Sequence, residues 1–294
     1  MVMETTIKAL LKESIQYLKS NGVENNTILD AQLILSHILN VDRLYLTVHG
    51  DETLNEEIIN QYRQLIKLRA TGMPLQYIVG RQEFMSLPFK VTTDVLIPRG
   101  DTEILVECII KEYRKAKKHN QVSIMDIGTG SGCIAVSLAY YISNSTVWAV
   151  DVSAKALKIA QYNAELNGVN RYISFVQHDI LKSFPEVIAE NSLDVIVSNP
   201  PYISTEVIGQ LQKEVKDYEP QLALDGGADG LIFYRKIIDE AHPYLKSHGM
   251  LAFEVGHDQS DDVAELIESN GHYANIEVVK DLAGINRVVI ARNK

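Results

Sequence analysis

The chain reads as an α/β protein: a doubly wound, mostly parallel seven-stranded sheet preceded by a small N-terminal helical bundle. Three observations predict this fold. After about residue 99, strand-like runs alternate with helical runs, the pattern of βαβ units that bury a parallel sheet between helices. The first eighty residues carry only helical periodicity. Within the alternating region, the first strand runs into a glycine-rich turn, DIGTGSG at 126–132, that opens a helix.

The helical region comes first. Ile7, Leu10, Leu11, Ile15 and Leu18 share one face behind a Thr6 cap, and Gly22 ends the run. A second set, Ile28 to Leu39, is apolar nearly all round and suits the centre of a bundle. A third, LNEEIINQYRQLIKLRATG, stops at Gly72 with Pro74 just beyond. His37 and His49 stand alone there and read as structural or surface residues. The stretch 81–98 contains FMSLPFKVTTDVLIP, short, proline-punctuated and β-rich, and reads as a hairpin-like connector. The seven strand runs follow: VSIMDIG, TVWAVDV, ISFVQHD, LDVIVSN, MLAFEVG, NIEVVKD and RVVIAR. Among the helices between them, SAKALKIAQYNAELNG is capped by Ser153 and closed by Gly168. The expected division is a helical recognition domain at 1–80, a β-rich connector at 81–98 and a catalytic domain at 99–294.

Composition narrows the class. The apolar runs are far shorter than a membrane span, and the N-terminus has no apolar signal core, so a cytoplasmic protein is expected. Cys108 and Cys133 have no metal-ligand spacing, so no metal site and no disulfide framework are expected. The net charge of −10 argues against a protein held mainly by phosphate contacts, and no direct nucleic-acid binding is expected. The one basic run, KEYRKAKKH at 111–119, reads as a solvated helix end, with a small docking patch for RNA or an acidic partner as the alternative.

Candidate chemistry collects at the strand ends. In an open parallel sheet, ligands bind at the carboxyl ends of the strands. Gly128, Gly130 and Gly132 allow a tight turn and close approach of a ligand to the main chain, but their G-x-G-x-G spacing is neither the dinucleotide fingerprint nor a P-loop. Asp126, just before the turn, disfavours phosphate and suits a cationic group such as an ammonium or sulfonium. Asp151, ending the next strand, is placed to accept from ribose hydroxyls; Ser153 can cap the following helix and leave it free. Asp179 can accept from an adenine amine, and the main chain at Ile180 can meet the ring edge. Asn199 completes the row. This convergence points to S-adenosylmethionine as the cofactor.

The fourth of these ends reads VSNPPYI. Two prolines cannot continue a central strand, so Asn199 and Tyr202 are left on a stiff break. An amide nitrogen is a poor nucleophile because its lone pair is delocalised. Two acceptors, the Asn199 side-chain oxygen and the Pro200 carbonyl, can hold an NH2 so that its lone pair is aimed. Pro200 and Pro201 pre-aim them, and Tyr202 can stack on the flat group. The same geometry accepts a glutamine amide or the exocyclic amine of adenine or cytosine.

DIGTGSG (126–132), AVDVS (149–153), QHD (177–179) and NPPY (199–202) together resemble class I S-adenosylmethionine-dependent methyltransferases acting on planar nitrogen. More narrowly they resemble the HemK (PrmC) family, the N5-glutamine methyltransferases of peptide chain release factors. PLQYIVGRQEF (74–84), VLIPRGDTEILVE (95–107), YEPQLALDGGADGLIFYRKI (218–237), LAFEVG (251–256) and DLAGINRVVIA (281–291) carry the narrower match. The family usually has IPRPETE, and this chain has IPRGDTE, which loosens the turn at Gly100 and shortens the carboxylate at Asp101. The resemblance implies a Rossmann-like fold and S-adenosyl-L-methionine as cofactor, with S-adenosyl-L-homocysteine as product. It implies methylation of the Gly-Gly-Gln glutamine of class 1 release factors by a monomer. The implied cofactor-binding residues are Asp126, Ile127, Gly128, Thr129, Gly130, Asp151, Asp179, Ile180 and Asn199. Asn199, Pro200 and Tyr202 are the implied catalytic residues, and Asn199, Pro200, Pro201 and Tyr202 the implied substrate-binding ones. The rival expectations are a ribosomal-protein glutamine methyltransferase and an adenine-N6 nucleic-acid methyltransferase.

Overall fold

A computed structural model describes residues 5–23, 25–115 and 121–294. The end of the basic run, 116–119, lies outside the described residues. The chain divides into two units: residues up to Arg81 together with Gln212–Tyr218, and Gln82–Leu211 together with Glu219–Lys294.

The first unit is helical. α1 (Ile7–Ser20), α2 (Thr27–Leu39), α3 (Arg43–Val48), α4 (Glu56–Ala70) and α5 (Leu75–Val79) pack around Leu10, Leu18, Ile34, Leu35 and Tyr62. The entries to α1, α3 and α4 are capped by Thr6, Asp42 and Asn55, whose side-chain oxygens accept the backbone N–H three residues on. α3 and α5 are new relative to the sequence reading; at 6 and 5 residues they are too short to show a period. His49 sits 2.6 Å from Glu52 and stacks on Tyr45, and burial lowers the pKa of His37.

At the centre of this unit Arg69 is buried, with Nε donating to Asp30 at 2.7 Å, Nη1 to the Met73 carbonyl at 3.2 Å and Nη2 2.7 Å from Glu214. Glu214 belongs to the 212–218 segment. The Tyr218 hydroxyl lies 2.7 Å from the Thr71 hydroxyl, and Lys213 packs on Gly72. These contacts group a stretch far along the sequence with the bundle.

The second unit opens with the hairpin β1 (Arg81–Phe84) and β2 (Leu87–Lys90), then α6 (Gly100–Lys115). The alternating region follows in chain order as β3 (Val122–Ile127), α7 (Cys133–Tyr141), β4 (Ser145–Asp151), α8 (Ala154–Leu166), β5 (Ile173–Gln177) and β6 (Leu193–Ser198). The short helix α9 (Thr205–Ile208) precedes α11 (Ile232–Ala241); α10 (Lys213–Lys216), between them in sequence, belongs to the first unit. The chain ends with β7 (Leu245–Glu254), α12 (Ser260–Asn270), β8 (Tyr273–Lys280) and β9 (Asn286–Asn293).

All seven expected strands form one sheet in the order β5-β4-β3-β6-β7-β9-β8. β3 to β7 are parallel, and β9 is antiparallel to both β7 and β8. The parallel strands are apolar throughout because both faces are covered. Ile124, Val147, Val195 and Ala252 pack with Leu105, Val106 and Leu138 on one face, while Met125, Ile196, Leu251 and Phe253 pack with Tyr234, Ile237 and Ile267 on the other. The order runs outward from β3 through β4 to β5, then returns across it to β6. That reversal leaves a crevice beyond the ends of β3 and β6, where Ile127 pairs with Ser198. No helix among the described residues is long and apolar enough to cross a membrane.

Candidate active site

A cavity of about 280 Å³ opens in that crevice. This is at the lower end of the range for small-molecule sites, roughly 300–1,000 Å³. Four strand ends contribute to its wall: Ile127, Gly128 and Gly130 after β3, Asp151 after β4, Asp179 and Ile180 after β5, and Asn199, Pro200 and Pro201 after β6.

The glycine turn is held by β4. The amides of Gly128 and Thr129 donate to the Val150 carbonyl at 2.8 and 3.0 Å, and the amide of Gly130 donates to Asp151 Oδ2 at 2.8 Å. Gly128 and Gly130 have φ of +73° and +55°, where a side chain is strained. At Gly132 a Cβ would stand 3.0 Å from that of Ala160, so α7 and α8 need its absence to approach.

Asp126 is fully buried beneath this turn and does not reach the cavity wall. Its Oδ2 accepts from the Thr129 hydroxyl at 2.6 Å and from the Ala135 amide at 3.2 Å, tying the turn to the first turn of α7. Oδ1 is buried without a hydrogen-bond partner. Burial raises this carboxyl to about 7, against the pull of those two hydrogen bonds. Thr129 is likewise behind the wall. The main chain of the turn, and not the Asp126 carboxylate that the sequence assigned to a cationic group, therefore lines the cavity.

Asp151 is in the wall but less free than its neighbour Ser153 suggested. Ser153 does cap α8 with its hydroxyl, yet its amide donates to Asp151 Oδ1 at 2.8 Å. Each carboxylate oxygen thus holds one backbone N–H and keeps a further lone pair for a ligand. Asp179 acts at once as a turn residue and a wall residue: Oδ1 accepts from the Leu181 amide at 3.1 Å, and Oδ2 pairs with Lys182 at 3.2 Å.

Asn199 donates through Nδ2 to the Thr102 hydroxyl at 3.1 Å, which leaves Oδ1 as the acceptor end. The Asn-Pro-Pro-Tyr segment is fixed from behind by the 224–230 loop. The Ile203 amide donates to the Leu224 carbonyl, the Gly226 amide to the Ile203 carbonyl, and Gln259 Nε2 to the Tyr202 carbonyl at 3.0 Å. The Tyr202 ring turns inward against the core rather than lining the cavity, and burial raises its phenol to about 12. The aromatic ring in the wall is Phe233, in the first turn of α11.

Phe233 and Glu254 are the residues the sequence reading missed. Phe233 had one signal, an aromatic residue directly after the glycine-rich DGGADGL loop. Glu254 had another, an acid at the end of the apolar run LAFE. It is buried at 3% exposure, and burial raises it to about 7 while hydrogen bonds from Thr102 and Asn199 and the charge of Arg287 oppose the rise. The shortened Asp101 still reaches Arg287 at 3.1 Å, and Arg287 also pairs with Asp281 at 3.1 Å. Glu103 accepts the Met85 amide at 2.6 Å, and Arg99 pairs with the buried Glu219.

Comparison with known proteins agrees with this architecture. Residues 9–80 match the PrmC N-terminal domain family, and residues 100–216 match the methyltransferase small domain family. The release factor glutamine methyltransferase of Moorella thermoacetica is 40% identical over 97% of this chain and 98% of its own length. That of Fusobacterium nucleatum is 42% identical over 96% of this chain and 78% of its own length, and that of Bacillus subtilis 37% over 97% of each. Among solved structures, the hMettl16 catalytic domain in complex with a 3'UTR hairpin superimposes with a TM-score of 0.53, at 15% identity over 80% of this chain and 81% of that one, a likeness of fold. With four strand ends converging on one crevice and near-full-length identity at this level, the chain belongs to the release factor glutamine methyltransferase family.

Proposed function

We propose that this protein transfers a methyl group from S-adenosylmethionine to the side-chain amide nitrogen of the glutamine in the Gly-Gly-Gln motif of class 1 release factors. The observation that carries this reading is the orientation of Asn199: its NH2 is committed to Thr102, so its oxygen and the adjacent Pro200 carbonyl are the two acceptors a planar NH2 needs. The names of the relatives supply the substrate class.

The cavity fits the cofactor. Asp151 has lone pairs to accept ribose hydroxyls, Asp179 to accept an adenine amine, and Ile180 with Phe233 encloses a flat ring. The G-x-G-x-G main chain at Gly128 and Gly130 lines the same wall, and Asp126 and Thr129 support it from beneath. When bound, S-adenosylmethionine supplies an electrophilic methyl group on a sulfonium. The chain's residues then do the rest. Asn199 Oδ1 and the Pro200 carbonyl accept the two N–H bonds and turn the nitrogen lone pair toward the methyl group. As positive charge develops on nitrogen, both acceptors strengthen, which stabilises the transition state over the ground state. Pro200 and Pro201 keep them aimed, and the half-buried Tyr202 holds the segment against the core.

The helical unit, none of whose described residues lines the cavity, serves as the recognition module for the protein substrate. The protein works as a cytoplasmic monomer without binding nucleic acid directly, in keeping with its acidity and its two free cysteines. The test is methyl transfer from labelled S-adenosylmethionine to a purified class 1 release factor. Label is expected on the wild-type factor and not on one whose Gly-Gly-Gln glutamine is replaced. Undiminished labelling of the replaced factor, or salt-sensitive labelling of ribosomal RNA instead, refutes the assignment.

A further inference from the structure

A Gly-Gly-Gln loop offers an enzyme little to hold. Its glycines bring no side chain, and the glutamine amide is taken by the reaction, so affinity for the factor has to come from surface beyond the loop. A candidate surface stands on the same edge of the sheet as Asn199. β9 is antiparallel to β7, so the residues that enter it lie where β7 ends: Glu254 pairs with Val288, and the Val255 amide donates to the Arg287 carbonyl at 2.9 Å. The β8–β9 turn, 281–285, therefore stands beyond the carboxyl ends of the parallel strands. Its base is joined to the site. Arg287 reaches both Asp281 and Asp101 at 3.1 Å, and the residue after Asp101, Thr102, accepts from Asn199 at 3.1 Å.

Asp281 ties this turn from within. Its amide donates to the Ile285 carbonyl at 2.8 Å, and its carbonyl accepts from the Gly284 amide at 3.0 Å. Its Oδ1 accepts from the amides of Ala283 and Ile285 at 2.9 and 2.8 Å, while Oδ2 accepts from Arg287 Nε. Gly284, at φ +82°, supplies the left-handed step. What this scaffold presents is apolar: Leu282 at the tip is 108% exposed and Ile285 37%. Single exposed apolar residues are common on soluble proteins. Here the exposed leucine stands on a cross-braced turn beside the catalytic segment, so a partner that covers it pays little to order the backbone beneath. The flank is acidic. Asn286 Nδ2 donates to Ser260 Oγ at 2.8 Å, which sets the exposed Asp261 and Asp262 of α12 next to the base of the turn.

We propose that the 281–285 turn is a docking knob for the release factor: Leu282, with Ile285 at its side, seats in an apolar pocket of the factor outside the Gly-Gly-Gln loop. Asp261 and Asp262 make the flank negative, so the pocket carries basic side chains at its edge. A rigid knob joined to the Asp101–Thr102 corner orients the factor while Asn199 Oδ1 and the Pro200 carbonyl take the amide. This rests on the release-factor reading given above and names the surface that holds that substrate.

The experiment compares Leu282→Ser, Leu282→Met, a double Asp261→Asn and Asp262→Asn variant, and Leu166→Ser with the wild type. It measures KM and kcat for a class 1 release factor, S-adenosylmethionine affinity by calorimetry, thermal melts and sedimentation. Leu166 is the control: it is 49% exposed at the end of α8, where the chain returns to the amino end of β5. Leu282→Ser is expected to raise KM about 10- to 100-fold, the loss of one buried leucine, with kcat at saturating factor within about twofold. Its melt and cofactor affinity should match the wild type, because a fully exposed side chain supports nothing in the free enzyme. Leu282→Met keeps the apolar volume and should stay within about threefold of the wild-type KM. The Asp261 and Asp262 double variant should raise KM at low salt and leave it unchanged at high salt, where the charge is screened. A Leu282→Ser enzyme whose KM stays within about threefold of the wild type and of Leu166→Ser overturns the inference, as does one whose kcat or cofactor affinity falls in step. So does a wild-type dimer that Leu282→Ser dissociates with KM unchanged, since Leu282 then faces a second copy of this chain. A wild type that leaves the factor unlabelled would instead sink the release-factor reading itself.

Discussion

Replacing Gly230 by Ala tests whether the 224–230 loop sets the position of the Asn-Pro-Pro-Tyr segment. A Cβ there would stand 2.3 Å from the Tyr202 carbonyl oxygen and 2.6 Å from Gln259 Nε2, on a residue whose φ is +76°. The left-handed conformation costs an L residue roughly 1–2 kcal/mol. Forcing a methyl into this packed spot adds roughly 1–3 kcal/mol. Losing the hydrogen bond from Gln259 to Tyr202 adds roughly 0.5–1.5 kcal/mol. The sum is roughly 2.5–6.5 kcal/mol. At about 2–4 °C per kcal/mol for a unit of this size, the melting temperature should fall by at least about 5 °C. The clash meets backbone, so relaxation has to move Pro201 and Tyr202, and a shift near 1 Å costs about 100-fold in rate. The assay pairs a thermal melt with kcat for methyl transfer. Gly209→Ala is the control, because a Cβ there meets nothing within 4 Å. A Gly230→Ala protein melting within 2 °C of wild type, with kcat within about twofold, would refute the reasoning (both margins lie below the roughly 1 kcal/mol floor of the terms above).

Asp151→Ala removes the acceptor for the Gly130 and Ser153 amides as well as the expected ribose contact, so S-adenosylmethionine affinity should weaken by more than about tenfold, one lost charge-assisted hydrogen bond; an unchanged calorimetric Kd contradicts this. Arg69→Met strands Asp30, whose carboxyl burial already raises, and the helical unit should lose about 3–5 kcal/mol, read as a lower urea midpoint. Adding Asp30→Leu should restore much of it, and no recovery would mean the pair is not the source. Asp126, raised to about 7 in the fold, keeps its proton when the unfolded chain has lost it. Its contribution to stability is therefore full below the unfolded value near 4 and is lost as pH rises toward 7. The wild-type urea midpoint should fall across that window more steeply than that of Asp126→Asn, and parallel curves would refute it.

What the sequence determined by itself follows from local rules. The central parallel strands are covered on both faces, so they read as apolar runs with a polar residue where they end; LDVIVS before Asn199 is one. Helix entries were legible where a side chain caps its own backbone, as at Thr6 and Ser153. Parallel strands put their carboxyl ends on one edge, so Gly128, Asp151, Asp179 and Asn199 could be expected together before any strand order was known. Chain connectivity hid the rest. That Ile127 lies beside Ser198 depends on the order and register of β3 and β6, which long-range hydrogen bonds choose. That Asp126 sits under the turn while Asp151 lines the cavity depends on which side of the backbone the pleat sends each carboxylate. Phe233 arrives from a helix, and the segment at 212–218 is drawn to the bundle by Arg69. The Asn199 side-chain NH2 finds its partner in Thr102, 97 residues away in sequence. A hydrogen bond has a direction only when both partners are in place, so an amide's usable end is decided by the tertiary structure.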